Sequence, residues 1–361
     1  MVFNPLKMLL PKKFLGIDIG TSFIKMVEVS RFGYRRKLEN YGSLPASVLY
    51  QKPFRTFEKN TLILSSEDIA RAIRAVMQQA KIETRQVVFS IPDFSSFFTT
   101  IELPSMSEEE LPQAVRYEAR QHIPLPLGET TLDWQLLDER QIEQQKRLKV
   151  LLVAVPNEII NQYREIARLA NLELYALEAE VFGLIRALAK EDDKDPLALI
   201  DIGAQSTTCN IVEKKNLKVS YSFDMSANDL TDTVSKSLGV TYLEAEELKK
   251  SQGLKMSEGN ESKGVREILL PLVDVILREV ETVFNNFYQK GGREIQKIIL
   301  AGGVALLPGL KEYFRGRFRK EVEIANPFVD LFYPPILENT LREMGPAYAI
   351  AVGVALRGLE Y

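Results

Sequence analysis

Three side chains on which many protein sites depend are scarce in this sequence of 361 residues, which contains one cysteine, one histidine and one tryptophan. A single cysteine excludes an internal disulfide and is typical of a reducing compartment. A single histidine cannot build a histidine-based metal site by itself. These counts argue against disulfide-stabilised secreted scaffolds and against histidine-based metal centres.

Long apolar runs and an excess of one charge are also missing. No stretch approaches the roughly 20 apolar residues that a membrane-spanning helix needs. The net charge is only −3, so no global basic field favours nucleic acid, and we expect no nucleic-acid partner. Hydrophobic residues make up 45% of the chain and charged residues 26%, as in soluble globular proteins. A chain of this length exceeds one typical core, so we expect two or more domains.

The rare reactive side chains and the start of the chain have structural interpretations. Cys209 lies in a predicted strand, where burial raises the pKa of a thiol, so we expect a packing role and not a nucleophile. His122 ends a predicted helix, which is a favourable place for a cation. Pro5 and Lys7 interrupt the apolar part of Met1–Lys13, so this segment does not match a signal peptide. A loosely ordered terminus and a short segment touching a membrane or partner both stay open.

The most informative stretch is Phe14–Val29, with the sequence FLGIDIGTSFIKMVEV. Its β-prone residues flank a glycine, which predicts a strand, a tight turn and a second strand. Asp18 stands at the mouth of this turn, and the hydroxyl residues Thr21 and Ser22 follow Gly20. Backbone amides of such a turn can bind an anion, and a carboxylate can hold a hydrated cation. A single copy of this pattern is equally compatible with an ordinary hairpin.

A second copy occurs at Leu197–Val212, LALIDIGAQSTTCNIV, where Asp201 and Gly203 match the acid and glycine of the first copy. Two such hairpins, one early in each half, indicate duplicated domains that face one cleft and hold a polyphosphate from both sides. A third element, Ile298–Gly309, is an apolar strand running into Gly302 and Gly303. Paired glycines allow close approach to a flat ligand, and the helix start that follows favours an anion.

These three motifs, in this order, resemble those of the actin/Hsp70/hexokinase ATPase superfamily. They would be its first phosphate loop, its second phosphate loop and its adenosine loop. Within the superfamily the chain is most similar to the PilM family of type IV pilus assembly and, more distantly, to the cell-division protein FtsA. The segments that carry this closer likeness are Ser105–Leu127, Ala245–Lys249 and Gly345–Gly358.

The resemblance implies an α/β, actin-like (ribonuclease H-like) duplicated ATPase fold with an inserted α+β subdomain, called 1C. Subdomain 1A would comprise residues 1–83 and 175–195, and subdomain 1C residues 84–174. Subdomain 2A would comprise residues 196–224 and 265–361, and a helical subdomain 2B residues 225–264. We expect one helix at Glu178–Ala189. We expect the last helix at Tyr348–Leu356, with Gly345 and Pro346 at its start. We expect Phe328, Leu331 and Phe332 to pack on the second half.

The resemblance also implies ATP and Mg²⁺ as cofactors. Asp18 and Asp201 would hold the metal through water, and either Glu178 or Glu180 would orient the water that attacks the γ-phosphate. The implied nucleotide contacts are Asp18, Gly20, Thr21, Ser22, Lys25, Asp201, Gly203, Gln205, Ser206, Thr207, Glu246, Lys249, Gly302 and Gly303. For Glu246 and Lys249, an ordinary amphipathic helix is an equally good interpretation, and for the two glutamates so is a surface ion pair.

One departure from the superfamily pattern bears on activity. Neither phosphate loop carries a lysine beside its glycine, since Thr21 and Ser22 follow the first glycine, and Ala204 and Gln205 follow the second. Backbone amides and metal would therefore meet the phosphate charge. This pattern favours a slow ATPase or an ATP-binding scaffold, and it makes nucleotide binding a firmer expectation than hydrolysis.

The partners implied by the resemblance are pilus components. The N-terminal cytoplasmic peptide of the membrane protein PilN would bind in the cleft between subdomains 1A and 1C. The protein would be cytoplasmic and peripheral to the inner membrane through partner proteins, with other platform proteins and self-association left open. Two alternatives remain: a filament-forming protein like FtsA, and a small-molecule kinase of the same superfamily. The kinase would use a carboxylate base, for which Asp93 is the candidate.

Overall fold

The computed structural model describes residues 11–46, 57–58, 61–62, 64–142, 145–255 and 263–360. Most of the terminal segment Met1–Lys13 lies outside these ranges, as do residues 47–56 and 256–262. Within the described residues, none of the helices combines the length and apolar character needed to cross a bilayer.

A mixed five-stranded sheet forms the first half of the molecule, in the order β10-β6-β1-β2-β3. Its strands are β1 Lys12–Ile19, β2 Phe23–Phe32, β3 Arg35–Pro45, β6 Gln86–Ile91 and β10 Glu173–Ala179. Strands β1 and β2 form the predicted antiparallel hairpin, while β6 runs parallel to β1. Alternate residues of β1, including Leu15 and Ile17, are buried against two outer helices, which explains the period-two pattern of the sequence.

A second sheet repeats this arrangement strand for strand, in the order β15-β14-β11-β12-β13. Its strands are β11 Leu197–Ile202, β12 Thr207–Glu213, β13 Asn216–Phe223, β14 Lys297–Ala301 and β15 Glu321–Ile324. The hairpin β11–β12 corresponds to β1–β2, and β14 runs parallel to β11 as β6 does to β1. The predicted duplication is therefore present in the topology.

A separate antiparallel sheet has the order β7-β9-β8. Its strands are β7 Phe97–Pro104, β8 Thr130–Ile142 and β9 Gln145–Pro156. Helix α2, Leu111–His122, covers one face through residues such as Leu111 and Val115. The elements of this inserted unit lie within 97–156; of the rest of the expected range 84–174, β6 pairs within the first sheet and the helix Asn157–Leu169 packs on that sheet. A short pairing of β4, Phe57–Glu58, with β5, Thr61–Leu62, lies outside all three sheets.

The remaining helices divide into outer and central layers. The outer helices are α1 Ser66–Gln79 and α3 Asn157–Leu169 on the first sheet, and α5 Ala227–Leu238, α6 Tyr242–Gln252, α7 Lys263–Gln289 and α8 Leu310–Phe318 on the second. The central helices are α4 Glu180–Leu188 and α9 Glu338–Arg357. Residues of both central helices pack in one core with strands of the second sheet, and α9 also packs on β1 and β2.

Glycines allow the central helices and the first sheet to approach closely. A Cβ atom on Gly353 of α9 would lie 1.9 Å from the carbonyl oxygen of Gly183 in α4. A Cβ atom on Gly16 of β1 would lie 2.2 Å from the carbonyl oxygen of Ala351 in α9. These contacts are backbone to backbone, so no side-chain movement can relieve an added methyl group. The two glycines therefore fix the distances between α4, α9 and β1.

Three expectations about these elements are wrong. Glu178 lies in strand β10, and α4 begins only at Glu180. Helix α9 begins at Glu338 and contains Pro346, whose carbonyl oxygen accepts a hydrogen bond from Gly302 N at 2.9 Å. Phe328 packs with residues of β1–β3 and α9, not on the second half, because the chain after β15 crosses to the first sheet. There Phe332 N donates to the carbonyl oxygen of Arg36 at 2.9 Å.

Gly353→Ala should destabilise the protein by at least about 3 kcal/mol, because the added methyl group must separate α4 from α9. The matched control is Gly316→Ala in α8, where a Cβ atom would meet nothing within 4 Å. That change should be neutral or stabilising by up to about 1 kcal/mol, since alanine favours the helix. Chemical denaturation of the two variants measures both effects, and equal stabilities would contradict the assigned packing.

Candidate functional site

The two DIG turns meet across the space between the halves. Gly20 N donates to the carbonyl oxygen of Phe23, and Gly203 N donates to that of Ser206, each at 3.0 Å. The turns therefore have the same internal hydrogen bond. Thr21 Oγ1 donates to Gln205 Oε1 at 3.4 Å, which joins two residues 184 positions apart. The sequence-predicted phosphate loops are thus brought face to face.

The predicted adenosine loop adjoins the second turn. Gly302 has φ of +86°, and a Cβ atom there would lie 2.5 Å from Asp201 Oδ1. Only glycine fits this left-handed conformation so close to a carboxylate. The neighbouring Gly303 would carry a Cβ atom into open space. The predicted pair therefore divides into one glycine that packs on the second loop and one that leaves room beside it.

Asp18 is buried and fully engaged at the end of β1. Its Oδ1 accepts a hydrogen bond from Ser90 Oγ at 2.9 Å, and its Oδ2 pairs with Lys25 Nζ at 3.1 Å. Burial by itself would lower the pKa of Lys25, but the nearby carboxylates of Asp18 and Asp201 outweigh it and raise that pKa. Lys25 comes from strand β2, so the ammonium group that the loops lack beside their glycines is supplied by the next strand.

Two further carboxyl groups lie at the start of α4. Asp93 N donates to Glu180 Oε2 at 3.2 Å, and Val181 N donates to Asp93 Oδ1 at 3.1 Å. Burial raises the pKa of Asp93 to about 7, aided by Asp201 and opposed by the Val181 amide. The pKa of Glu180 is raised well above its usual range, chiefly by burial and then by Asp18, Asp93 and Asp201. Glu180 therefore experiences the charge of both predicted metal-holding acids, Asp18 and Asp201.

Glu178, the other predicted glutamate, has a structural partner instead. Arg186 Nη1 and Nη2 donate to its two carboxylate oxygens at 2.6 and 2.8 Å. Arg186 Nη1 also donates to the carbonyl oxygen of Gly353 at 3.2 Å, and Arg186 Nε donates to Glu360 at 2.6 Å. The bidentate pair ties the end of β10 to α4 and α9. Of the two predicted glutamates, only Glu180 is linked electrostatically to the cluster of acids.

These acids can serve a cation. Burial raises the pKa of Asp201 to about 6, with Lys25 lowering it and Asp18 raising it. Of the four carboxyl groups, those of Asp18 and Asp201 interact with the Lys25 ammonium group, and a divalent cation would relieve the repulsion that remains. Among the described residues, no group of three or more acidic, histidine or cysteine side chains forms a direct metal site. Asp18 and Asp201 fit the predicted role of holding a hydrated Mg²⁺ through water, which Mg²⁺ retains readily.

Glu246 and Lys249 join the outer helices of the second half. Lys249 is buried, and its Nζ donates to Thr231 Oγ1 and Glu246 Oε2, each at 2.6 Å, and to the carbonyl oxygen of Ala227 at 3.2 Å. Burial lowers the pKa of Lys249 although Glu246 raises it. These bonds tie α6 to α5, and contact of the pair with adenosine stays a prediction.

Sequence reasoning missed two residues near the acids. Ser90 lies in β6, beside Asp18 in the sheet, and an isolated serine in an apolar strand gives no signal of this contact. Tyr163 of α3 is fully buried, and its hydroxyl has no hydrogen-bond partner among the described residues. Its pKa is raised well above its usual range, chiefly by burial and then by Glu180 and Asp18. Only the return of α3 to the first sheet brings Tyr163 there.

Other expectations concern single side chains. Cys209 is buried in β12, and burial raises its pKa to about 12, so the predicted packing role is confirmed. His122 is the last residue of α2 and pairs with Glu118 at 3.3 Å. Asp93, the candidate base of a kinase, is buried and uses Oδ1 to accept from the Val181 amide. That arrangement gives the kinase alternative no support.

Comparison with known proteins agrees with this geometry. The family model described as "Type IV pilus assembly protein PilM" matches residues 16–359. The chain belongs to the PilM family. It is similar to a solved PilM-PilN type IV pilus biogenesis complex, with 25% identity, a TM-score of 0.83, and coverage of 96% of this chain and 98% of the solved one.

More distant relatives show the wider fold. The cell division protein FtsA of Enterococcus faecalis is 23% identical over 369 aligned positions, covering 91% of this chain and 82% of that protein. MreB5 of Spiroplasma citri, solved with AMPPNP, matches 96% of this chain and 95% of its own at 14% identity and a TM-score of 0.54. The chain thus has the predicted actin-like α/β fold, and its identification with PilM is better supported than the FtsA-like alternative.

Stability should fall with rising pH because of Asp93. Its pKa is about 7 in the folded protein against 3.8 ordinarily, so the folded state binds the proton more tightly. The resulting stabilisation is complete below about pH 4 and is lost as pH rises through about 7. Asp93→Asn should remove this dependence and gain on the order of 2 kcal/mol relative to the unmodified protein between pH 5 and pH 8. Urea denaturation in EDTA at both pH values measures it, and parallel pH profiles would contradict the assignment.

Proposed function

We propose that this PilM-family protein binds Mg-ATP between its two halves. The observation that carries the proposal is the meeting of the two DIG turns, joined through Thr21 and Gln205, above the acids around Lys25. Asp18 and Asp201 hold the hydrated Mg²⁺. Backbone amides of Thr21 and Ser22 and of Ala204 to Ser206 bind the phosphates, since those of Gly20 and Gly203 close the turns, and the open side of Gly303 admits the adenosine.

Lys25 supplies an ammonium group beside Asp18 and within the influence of Asp201. Its pairing with Asp18 keeps it charged although its environment disfavours a bare charge. A bound triphosphate brings negative charge, which Lys25 and the metal offset together. Lys25 therefore acts on the phosphates from strand β2, and the loops themselves need no lysine.

Hydrolysis, in this proposal, is slow. Glu180 is placed to orient the attacking water, but burial and then the carboxylates of Asp18, Asp93 and Asp201 raise its pKa and so disfavour its charged form. A protonated acid cannot accept the proton of the water. The arrangement is suited to prolonged nucleotide occupancy, as a scaffold or switch requires.

The proposed partner is PilN. Membership of the PilM family and the similarity to a solved PilM-PilN complex support this assignment. We place the N-terminal peptide of PilN in the cleft between the first sheet and the inserted unit 97–156, on the cytoplasmic face of the inner membrane. Membrane contact then comes through PilN and other pilus platform proteins. ATP and peptide binding are coupled when ATP favours one arrangement of the two halves.

Asp18→Asn and Asp201→Asn should each weaken Mg-ATP binding at least about tenfold, because each removes a charged group that orients metal-bound water. The unmodified protein should lose a similar factor in EDTA. Asp192→Asn, a change at an exposed loop acid, is the matched control and should bind as the unmodified protein does. Calorimetric titration measures all five affinities, those of the four proteins and that of the unmodified protein in EDTA. Absence of binding by the unmodified protein would refute the nucleotide-binding proposal.

A synthetic peptide of the PilN N-terminus should bind the protein. Its dissociation constant with saturating Mg-ATP should differ at least about fivefold from its dissociation constant without nucleotide. A scrambled peptide of equal composition is the control. Fluorescence anisotropy with and without nucleotide gives both dissociation constants. Identical constants would show that nucleotide and peptide sites act independently, while leaving the two binding activities intact.

A further inference from the structure

Asp93 occupies the point where the chain leaves the first sheet for the inserted unit. Strand β6 ends at Ile91, a 3-10 turn spans Asp93–Ser95, and β7 begins at Phe97. Only five residues separate the two strands. Because this connection is short, a displacement of the Asp93 backbone also displaces the start of β7. The turn is itself fastened, because Ser95 Oγ donates to the carbonyl oxygen of Pro92 at 2.7 Å.

The same residue is joined twice to the start of α4. Its side chain accepts from Val181 N at 3.1 Å, and its backbone N–H donates to Glu180 Oε2 at 3.2 Å. The first bond caps α4, because it gives a partner to a backbone amide in the first turn of the helix. It also gives a partner to the buried carboxylate of Asp93. The second uses the carboxylate that faces the acids of the nucleotide site. We call this pair of bonds the Asp93–α4 link.

Glu180 links the turn at Asp93 to the acids of the proposed nucleotide site. Its Oε2 accepts from Asp93 N, and its pKa is raised by burial and then by Asp18, Asp93 and Asp201. Metal and phosphate bound beside these acids change the charge that acts on the Glu180 carboxylate. A shift of this carboxylate alters the bond to Asp93 N and, with it, the turn that leads into β7.

Helix α4 reaches the inserted unit by a second route. The ring of Phe182 packs edge-on against Phe98 of β7, with centroids 6.3 Å apart. Leu151 of β9 lies in the same apolar core as Val181 and Leu184 of α4. Strand β7 is therefore connected to α4 in two ways, through the turn at Asp93 that precedes it and through the side chain of Phe98.

We infer that the Asp93–α4 link couples the nucleotide site to the inserted unit. Through this link, nucleotide bound in the cleft changes the orientation of the inserted unit and therefore the affinity of that unit for a partner peptide. Asp93 acts as a positioning residue, since it holds the turn and α4 in register and touches neither nucleotide nor peptide. This inference rests on the proposed Mg-ATP and PilN-peptide binding.

The test measures coupling rather than binding. The dissociation constant of the PilN peptide is determined without nucleotide and with saturating Mg-ATP, and the ratio of the two is the coupling factor. The unmodified protein should give a ratio of at least about fivefold. Asp93→Ala should give less than about twofold, with peptide affinity in the absence of nucleotide unchanged. Asp93→Asn retains an oxygen to accept from Val181 N, so it should keep most of the coupling.

Two controls separate a lost link from a weakened fold. Ser65→Ala removes the side-chain cap of α1 at a comparable helix start, where Ser65 Oγ accepts from Asp68 N at 3.1 Å. It should lower the melting temperature and leave the coupling factor unchanged. If Asp93→Ala does not fold, Glu180→Ala breaks the other half of the link while Asp93 still caps α4, and it should also reduce the factor below about twofold.

Reciprocity gives a second measurement of the same quantity. The peptide must change the affinity for Mg-ATP by the factor that Mg-ATP changes peptide affinity. Full coupling in Asp93→Ala would overturn the inference and leave the proposed function intact. Two ligands that bind the unmodified protein without coupling would overturn it equally. Failure of the unmodified protein to bind Mg-ATP would instead refute the proposed function, and the inference with it.

Discussion

A surplus of carboxyl groups around one ammonium group is the constraint on which the rest of this molecule depends. Asp18, Asp93, Glu180 and Asp201 come from four separate segments, and the Lys25 ammonium group interacts with two of them, Asp18 and Asp201. Burial and mutual repulsion raise the pKa values of Asp93, Glu180 and Asp201. Such a site favours an incoming divalent cation, because the charge of the metal offsets the repulsion among the carboxylates.

Contact between the backbones of two central helices positions this cluster of acids. Helices α4 and α9 lie between the two sheets, and Gly183 and Gly353 let their backbones touch. Glu178 and Arg186 add a bidentate pair at the same junction. Because these contacts leave no free volume, a movement of α4 must involve its neighbours together. The start of α4 carries Glu180, so the proposed nucleotide site adjoins a junction where two helix backbones are in contact.

The inserted unit joins the first sheet at two places, the turn at Asp93 and the return into α3. Both connections pass beside the acids, since Asp93 bonds to Glu180, and Tyr163 of α3 is affected by the charge of Glu180. The proposed coupling of nucleotide and partner peptide therefore has a short structural path, from the start of α4 through the turn at Asp93 to β7.

Much of the architecture could be predicted because it depends on local pattern. The two DIG hairpins, the apolar strand before Gly302 and the duplicated halves follow from alternation of apolar residues and from glycine at turns. The wrong expectations depend on contacts between distant segments. Phe328 is apolar in either packing, and only the crossing of the chain to the first sheet decides which core it joins.

The sequence by itself determined the hairpins, their order and the residue types at their mouths, since strand alternation and turn chemistry act over a few neighbouring residues. Only the tertiary structure decided that Glu180 and not Glu178 faces the acids, that Ser90 donates to Asp18, and that Asp93 joins the first sheet to α4. Hydrogen bonds and pKa shifts reach only a few ångströms. Which groups come within that reach is settled when sheets and helices pack, and no local pattern records it.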